Sequence, residues 1–430
     1  MFDIAKNAWK IKDLRKKILY TLIILVLYRL GAAIPVPFID GNALQGLFNS
    51  GQGFFGDPTG MFNFLNIMAG GALSKASIFA MSIGPYITAS IVMQLLTVAI
   101  PALERLQKEG EDGRKKIAQI TRYVTIALGL IEGFAYYTVI ANQEEIVMNQ
   151  YNNWFGIIVI VLSFGAGTAL IMWMGEKINE KGIGNGISMI LFASIVSRGP
   201  GLVGYLYQTG IVGKQYYIIP VVLIISVLLI GFIVMLNESE RRIPIQYAKR
   251  VVGRKMYGGQ STHLPLKVTM TGVLPIIFAS SFVALPAQIA KFFPNSGFAS
   301  FIAKHFGFSS WPYAVLYFIL IIFFNYFYVS IQYNPVEIAN NLQKNGGTIL
   351  GIRSGKPTSD FIKRVLYRVS LIGAMALALI AVLPILIQMF TSIQISLGGT
   401  SILIIVGVVL ETLKQLESQM LMRHYKGFMD

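Results

Sequence analysis

The sequence predicts an all-α integral membrane protein with ten transmembrane helices, and three observations carry that prediction. Of its 430 residues, 54% are apolar and 13% are charged, where soluble domains carry about 25% charged residues. Uncharged runs such as Tyr217–Leu236 and Leu371–Gln394 match or exceed the roughly 20 residues that cross ~30 Å of hydrocarbon. Basic charge is uneven: 30 of the 36 Lys and Arg fall in the N-terminus, in alternate loops or the span ends beside them, and in the C-terminus.

The ten spans lie at about 18–34, 76–100, 119–140, 154–174, 187–207, 216–236, 268–290, 311–333, 368–391 and 399–416. Cytoplasmic loops collect Lys and Arg, so both termini read as cytoplasmic. The net charge of +16 then needs no nucleic-acid partner. The first span follows basic residues, as in a signal peptide. It contains Arg29, runs into Pro35 and Pro37 and lacks a small-residue cleavage site, so it reads as a retained helix. Arg29 lies near its outer end, where a long side chain can snorkel, and reads as structural. The fifth span is interrupted by Arg198, Gly199 and Pro200.

Three connections are long. In Pro35–Lys75, the apolar segment Met61–Met68 is too short to span; it fits interfacial packing or a gate, and Gly70-Gly71 follows it. In Asn237–Lys267, Ile243, Ile245 and Tyr247 alternate with polar residues as in a strand, and Gly253 could supply a turn. In Asn334–Tyr367, Val336–Lys344 reads as a short helix stopped by Asn345, Gly346 and Gly347. A basic tip, Gly351–Lys356, comes next, and Pro357–Asp360 carries a helix-start signal. Loops this long in compact folds are usually functional or disordered, and these two are patterned.

Composition and motifs also exclude. No cysteine is present, so disulfide and thiol chemistry are ruled out. His263, His305 and His424 are too dispersed for a metal site. No P-loop, H-E-x-x-H pair or G-x-S-x-G elbow occurs, so neither enzymatic activity nor a cofactor is expected. An ion-coupled secondary transporter, the alternative reading, would place carboxylates at midplane. Here only Glu132 and, near a helix end, Glu411 fall within spans. The pattern fits a passive conduit worked by a soluble partner.

Local motifs resemble one family. Gln260–Lys267 (QSTHLPLK), Gly182–Ser188 (GIGNGIS), Gly70–Ser74 with Ser77–Ala80, Asn334-Pro335, Gly351–Arg353 and Gly398–Ser401 are similar to SecY-family landmarks, in order, over nearly the whole chain. For GIGNGIS the glycines read as helix-start punctuation; His263 reads as a hydrogen-bonded structural residue. The resemblance implies two inverted, pseudo-symmetric halves, 1–210 and 211–430, around an hourglass pore. It implies an apolar ring of Ile83, Ile87, Ile187, Leu191, Ile277 and Ile404, which hinders ions by dewetting. It implies a plug at about 61–72, including Met61, Phe62, Phe64, Leu65, Ile67 and Met68, whose following glycines suit a piece that swings away. Spans two and seven would form a lateral gate, with Gly84-Pro85 interrupting span two. Thr88, Gln94, Ser280 and Ser281 could bond across that seam, or serve ordinary interhelical bonding. Arg353, and Arg241, Arg242, Lys249 and Arg250, would dock the SecA ATPase or the ribosome; positive-inside retention is the competing reading of each. The implied protein conducts unfolded preproteins and signal peptides through, or sideways into lipid from, the bacterial plasma membrane, with SecE and SecG subunits.

Overall fold

The computed structural model describes the chain except for residues 1, 50–64, 67, 142–145, 149–152, 208–210, 212–215, 217, 248–249, 253–254, 258–260, 291–295, 298–300, 302–309, 391–398 and 427–430. Its helices are, in order, α1 (Phe2–Lys10), α2 (Lys12–Gly31), α3 (Gly41–Asn49), α4 (Gly84–Ala99), α5 (Pro101–Lys108), α6 (Glu111–Ala141), α7 (Trp154–Lys181), α8 (Gly186–Val196), α9 (Gly199–Leu206) and α10 (Ile218–Glu238). Strands β1 (Glu240–Tyr247), β2 (Arg250–Val252), β3 (Lys255–Tyr257) and β4 (Ser261–Lys267) follow. The chain continues through α11 (Leu274–Ala290), α12 (Trp311–Gln332), α13 (Pro335–Lys344), β5 (Gly347–Ile349), α14 (Lys356–Phe390) and α15 (Gly399–Lys426). Every predicted span holds helix. Among the described residues, five helices, α6, α7, α10, α12 and α14, are by length and apolarity sufficient to cross a bilayer; α4 and α5, bent by 99°, make a sixth if taken together.

Span two departs from expectation. Residues 69–83 run as successive turns, and helix begins only at Gly84. Positive φ at Gly70, Gly71, Ala76 and Ser82 cannot be accommodated in a right-handed helix. Pro85 sits in the first turn of α4, where its missing N–H is not needed. Gly84-Pro85 is therefore a helix start, not an interruption. The turn run is laced to the chain after α2: Val36 N–H donates to Ala76 O (2.9 Å) and Ile78 N–H to Ile34 O (3.0 Å).

Among the described residues, α6 packs along α4 and α7, and α7 along α2 and α8; α12 packs along α11 and α14, and α15 along α10 and α14. Between these two sets, the extensive contacts run along α4–α11, α8–α15 and α1–α15. One apolar core runs through both sets.

A second core lies in the two long connections. β1 pairs antiparallel with β4 and with β5, which joins the two loops in one three-stranded sheet. The expected alternation in β1 is present: Ile243 and Ile245 are buried against Leu342, Ile349, Ile362 and Leu366. Asn334 caps α13, its Oδ1 accepting from Val336 N–H (3.1 Å), and Gly346 takes a positive φ (70°) just beyond the helix, as a helix stop requires. His263 lies exposed in β4, opposite Pro244. Gly253 lies outside the described residues.

The GIGNGIS motif is more than punctuation. A Cβ on Gly186 would stand 1.9 Å from Gly175 O of α7, so the close approach of α8 to α7 demands glycine there. Gly186→Ala should force these helices apart at a cost of about 1–3 kcal/mol, read as a lower thermal unfolding midpoint of the purified protein in nanodiscs. Gly201→Ala, whose new Cβ meets nothing within 4 Å, should leave the midpoint unlowered.

Candidate functional site

Two cavities lie where the helix sets meet. The larger, about 550 Å³, opens toward the sheet end; Asn185 and Ser188 of α8, Asn237, the stretch 265–274, Ile277, Gln332 and Glu411 line it. The smaller, about 70 Å³, is bounded by Leu65, Met68, Ile87, Thr88, Glu132, Leu191, Ser280 and Ser281. On α8, Ser188 faces the large cavity, and Leu191, one turn on, faces the small one. On α11, Ile277 and Ser280–Ser281 repeat this step.

Of the residues expected at the waist, Ile277 lines the large cavity and Ile87 and Leu191 line the small one. Ile83 (1% exposed), Ile87 (5%), Leu191 (2%), Ile277 (3%) and Ile404 (2%) are buried in one apolar cluster, and Ile187, half-buried, packs against it. None of the six turns outward to the surrounding lipid.

The mouth of α8 is positioned by residues that sequence reading did not single out. Ile183 N–H donates to Thr21 Oγ1 of α2 (3.0 Å), Gly184 N–H to Gln415 Oε1 of α15 (2.7 Å), and Gly186 N–H to Asn179 Oδ1 of α7 (2.7 Å). Asn185 Oδ1 then accepts from Ile187 N–H (3.1 Å). Each partner is an ordinary polar residue in its own segment. With separations of 162 and 231 residues for the first two pairs, no local signal could have found them. Charge in the large cavity gathers at Lys267, Glu411 and Lys414, and Lys414 Nζ donates to Asn237 O (3.2 Å).

The α4–α11 seam differs from expectation. Ser280 and Ser281 both donate to Ile277 O of their own helix (2.8 and 2.9 Å). Gln94 Nε2 reaches Ser90 Oγ of its own helix (3.5 Å), and Thr88 lines the small cavity. A serine hydroxyl in a helix is satisfied most cheaply by the carbonyl a turn back, so these hydroxyls do not staple the two helices together. The root of α11 is held firmly on its other side. Thr271 Oγ1 donates to Asn325 Oδ1 of α12 (2.7 Å), and Asn325 Nδ2 to Ser370 O of α14 (3.1 Å), all buried.

Of the expected plug residues, Leu65 and Met68 pack against the core and line the small cavity. Met61, Phe62, Phe64 and Ile67 lie outside the described residues. In the sheet region, Arg353 is exposed on a tip between Gly351 (φ 78°) and Gly355 (φ 94°). Thr358 Oγ1 braces this tip by donating to Arg353 O (2.8 Å). Arg241 is exposed on β1; Arg242 is also exposed, but its Nε pairs with Glu240 Oε1 (2.7 Å). Arg250 opens β2. Lys249 lies outside the described residues.

The SecY family model matches residues 77–413. The chain is 43% identical to the protein translocase subunit SecY of Streptomyces coelicolor, with both chains covered in full. It is also 43% identical to that of Bacillus subtilis, again with both covered in full. Its fold matches a solved SecY structure concerned with the plug domain and the closed state (TM-score 0.62, 18% identity, 94% of this chain and 92% of that one). It also matches Sec61 in a canine ribosome–channel complex (TM-score 0.58, 16% identity, 94% and 92%). The fold is thus the helical, membrane-spanning bundle of the SecY and Sec61 channels. The chain belongs to the SecY family.

Asn325→Leu removes both hydrogen bonds of a buried network and leaves the Thr271 hydroxyl unpaired. It should lower stability by about 1–3 kcal/mol. Replacing Ser280 and Ser281 by Ala should cost less than about 0.6 kcal/mol each, the average for interhelical bonds in membranes. Thermal unfolding in nanodiscs distinguishes the two.

Proposed function

We propose that this chain is a protein-conducting channel: a passive pore that passes unfolded secretory polypeptides across the membrane and releases apolar segments sideways into lipid. What supports this reading is the burial of Ile83, Ile87, Leu191, Ile277 and Ile404 in the apolar core, beside two cavities where the helix sets meet. A side-chain seal of this kind parts for an extended chain and closes behind it, with no catalytic step. The chain catalyses no reaction of its own. The relatives reported above lend the ion-coupled transporter reading no support.

In this reading Ile83, Ile87, Ile187, Leu191, Ile277 and Ile404 form the constriction. The segment at about 61–72 is the plug, supported by Leu65 and Met68 at the small cavity. Ten spans divide into halves 1–210 and 211–430, supported by helix in every predicted span and by the packing of the two helix sets. The lateral gate is the α4–α11 seam, where Thr88, Ser280 and Ser281 add little cross-bonding, while Gln94 shares a side-chain hydrogen bond with Tyr328 of α12. A weakly bonded seam beside a firmly rooted α11 suits parting along α4.

The sheet region is the docking platform. A relative of this fold was solved in a ribosome–channel complex, and by family likeness the SecA ATPase supplies the driving energy. Arg353 is the leading contact, because a braced, exposed guanidinium can pair bidentately with carboxylate or phosphate; Arg241, Arg242, Lys249 and Arg250 add to the platform. SecE and SecG are the expected companion subunits. The setting is the bacterial plasma (inner) membrane, with both termini cytoplasmic.

Reconstitution with SecE, SecG, SecA and a preprotein tests the reading: ATP-dependent protection of the preprotein from protease is expected, and its absence rejects a conducting role. Replacing Ile87, Ile277 and Ile404 together by Ser should raise the ion conductance of the idle channel at least several-fold in planar bilayers. Arg353→Glu should reduce SecA-driven translocation by about tenfold, equivalent to ~1.4 kcal/mol. Arg242→Gln, at a locally paired and exposed site, should change it less than twofold.

A further inference from the structure

The stretch after the expected plug is not built like a hinge. Gly70 is buried, with φ of 65°. A Cβ there would stand 2.9 Å from Ser194 O and 3.1 Å from Ser197 Oγ of the α8 segment. Arg29 of α2 reaches it from the other direction, Nη1 donating to Gly70 O (3.0 Å). Tyr136 of α6, fully buried, donates its hydroxyl to Leu73 O (2.9 Å). Asn66, also buried, closes the stretch on itself: its backbone carbonyl accepts from Gly71 N–H (2.8 Å), and its Oδ1 accepts from Ser74 N–H (3.0 Å). The downstream end is laced to residues 34–36. Three helices therefore hold one short loop through its carbonyls and its packing. A positive φ at glycine fixes a turn as readily as it permits motion.

We propose that Arg29 and Tyr136 are positioning residues that hold Ala69–Ser74 as a fixed anchor, one that stays in place when the pore opens. Gly70-Gly71 is then the rigid foot of the plug and not its pivot. This also gives Arg29 its reason for lying on a span: its guanidinium satisfies a carbonyl that no helix serves. The inference rests on the plug reading above, and the experiment separates the two.

Because the chain has no cysteine, Asn66→Cys with Ser74→Cys introduces a single pair that bridges the glycines. Translocation by the oxidised protein, reconstituted with its partners, should equal that of the same variant after reduction. Loss of translocation on oxidation, regained on reduction, overturns the anchor. A second variant, Leu65→Cys with Ser281→Cys, joins two walls of the small cavity by a short bis-maleimide. It should block translocation; unimpeded translocation would reject the plug reading itself. Should the first pair fail to fold, Arg29→Gln supplies the test. Idle-channel ion conductance should rise at least fivefold, and Arg29→Lys should return it most of the way. An unchanged conductance in Arg29→Gln overturns the anchor.

Discussion

A chain inside a bilayer must satisfy its own backbone, because hydrocarbon offers no hydrogen-bond partner. This constraint explains where the molecule is regular and where it is not. Helices α6, α7, α10, α12 and α14 meet it within themselves and expose long apolar faces. The turn run 69–83 cannot follow a helical ladder; it closes part of its backbone on itself, as in Ala80 N–H to Ser77 O, and Arg29, Tyr136 and the stretch 34–36 bind other groups from outside. The GIGNGIS turn is treated in the same way by Thr21, Asn179 and Gln415. At both places several helices converge around the irregular backbone.

Those irregular places are also the places that shape the axis. The turn run puts Ile83 and Ile87 at the start of α4, and the GIGNGIS turn puts Ile187 and Leu191 at the start of α8. The segment 268–273 does the same for Ile277 at the start of α11. Five of the six residues proposed for the constriction therefore sit at the start or within the first two turns of short helices, each preceded by a loop. Starting a helix inside the bundle costs unsatisfied N–H groups; at α8 the side-chain acceptors Gln415, Asn179 and Asn185 offset that cost, and at α4 Pro85 has no N–H to satisfy.

The two long loops solve a different problem. Each lacks a core of its own size, yet β1 joins β4 and β5, and together they bury Ile243, Ile245, Leu342, Ile349 and Ile362. The shared core turns two separate connections into one platform, with Arg353 projecting from its tip. A braced arginine loses less freedom on pairing than one on a free loop.

By itself the sequence determined the class of protein, the ten apolar segments, the strand at Ile243–Tyr247, the helix at Val336–Lys344 and the family. Each of these follows from local period, composition or short motifs, which need no knowledge of neighbours. The six residues proposed for the waist came through likeness to a family and not through any pattern of their own. Tertiary structure alone decided that span two begins as turns, that Gly186 is pinched against α7, and that Ser280 and Ser281 bond within their own helix. It alone joined Asn325 to Thr271 and Arg29 to Gly70. The reason is the same in each case: a hydrogen bond or a close approach between segments far apart in the chain depends on how helices pack, and a polar residue shows no sign in its own segment of the partner it will meet.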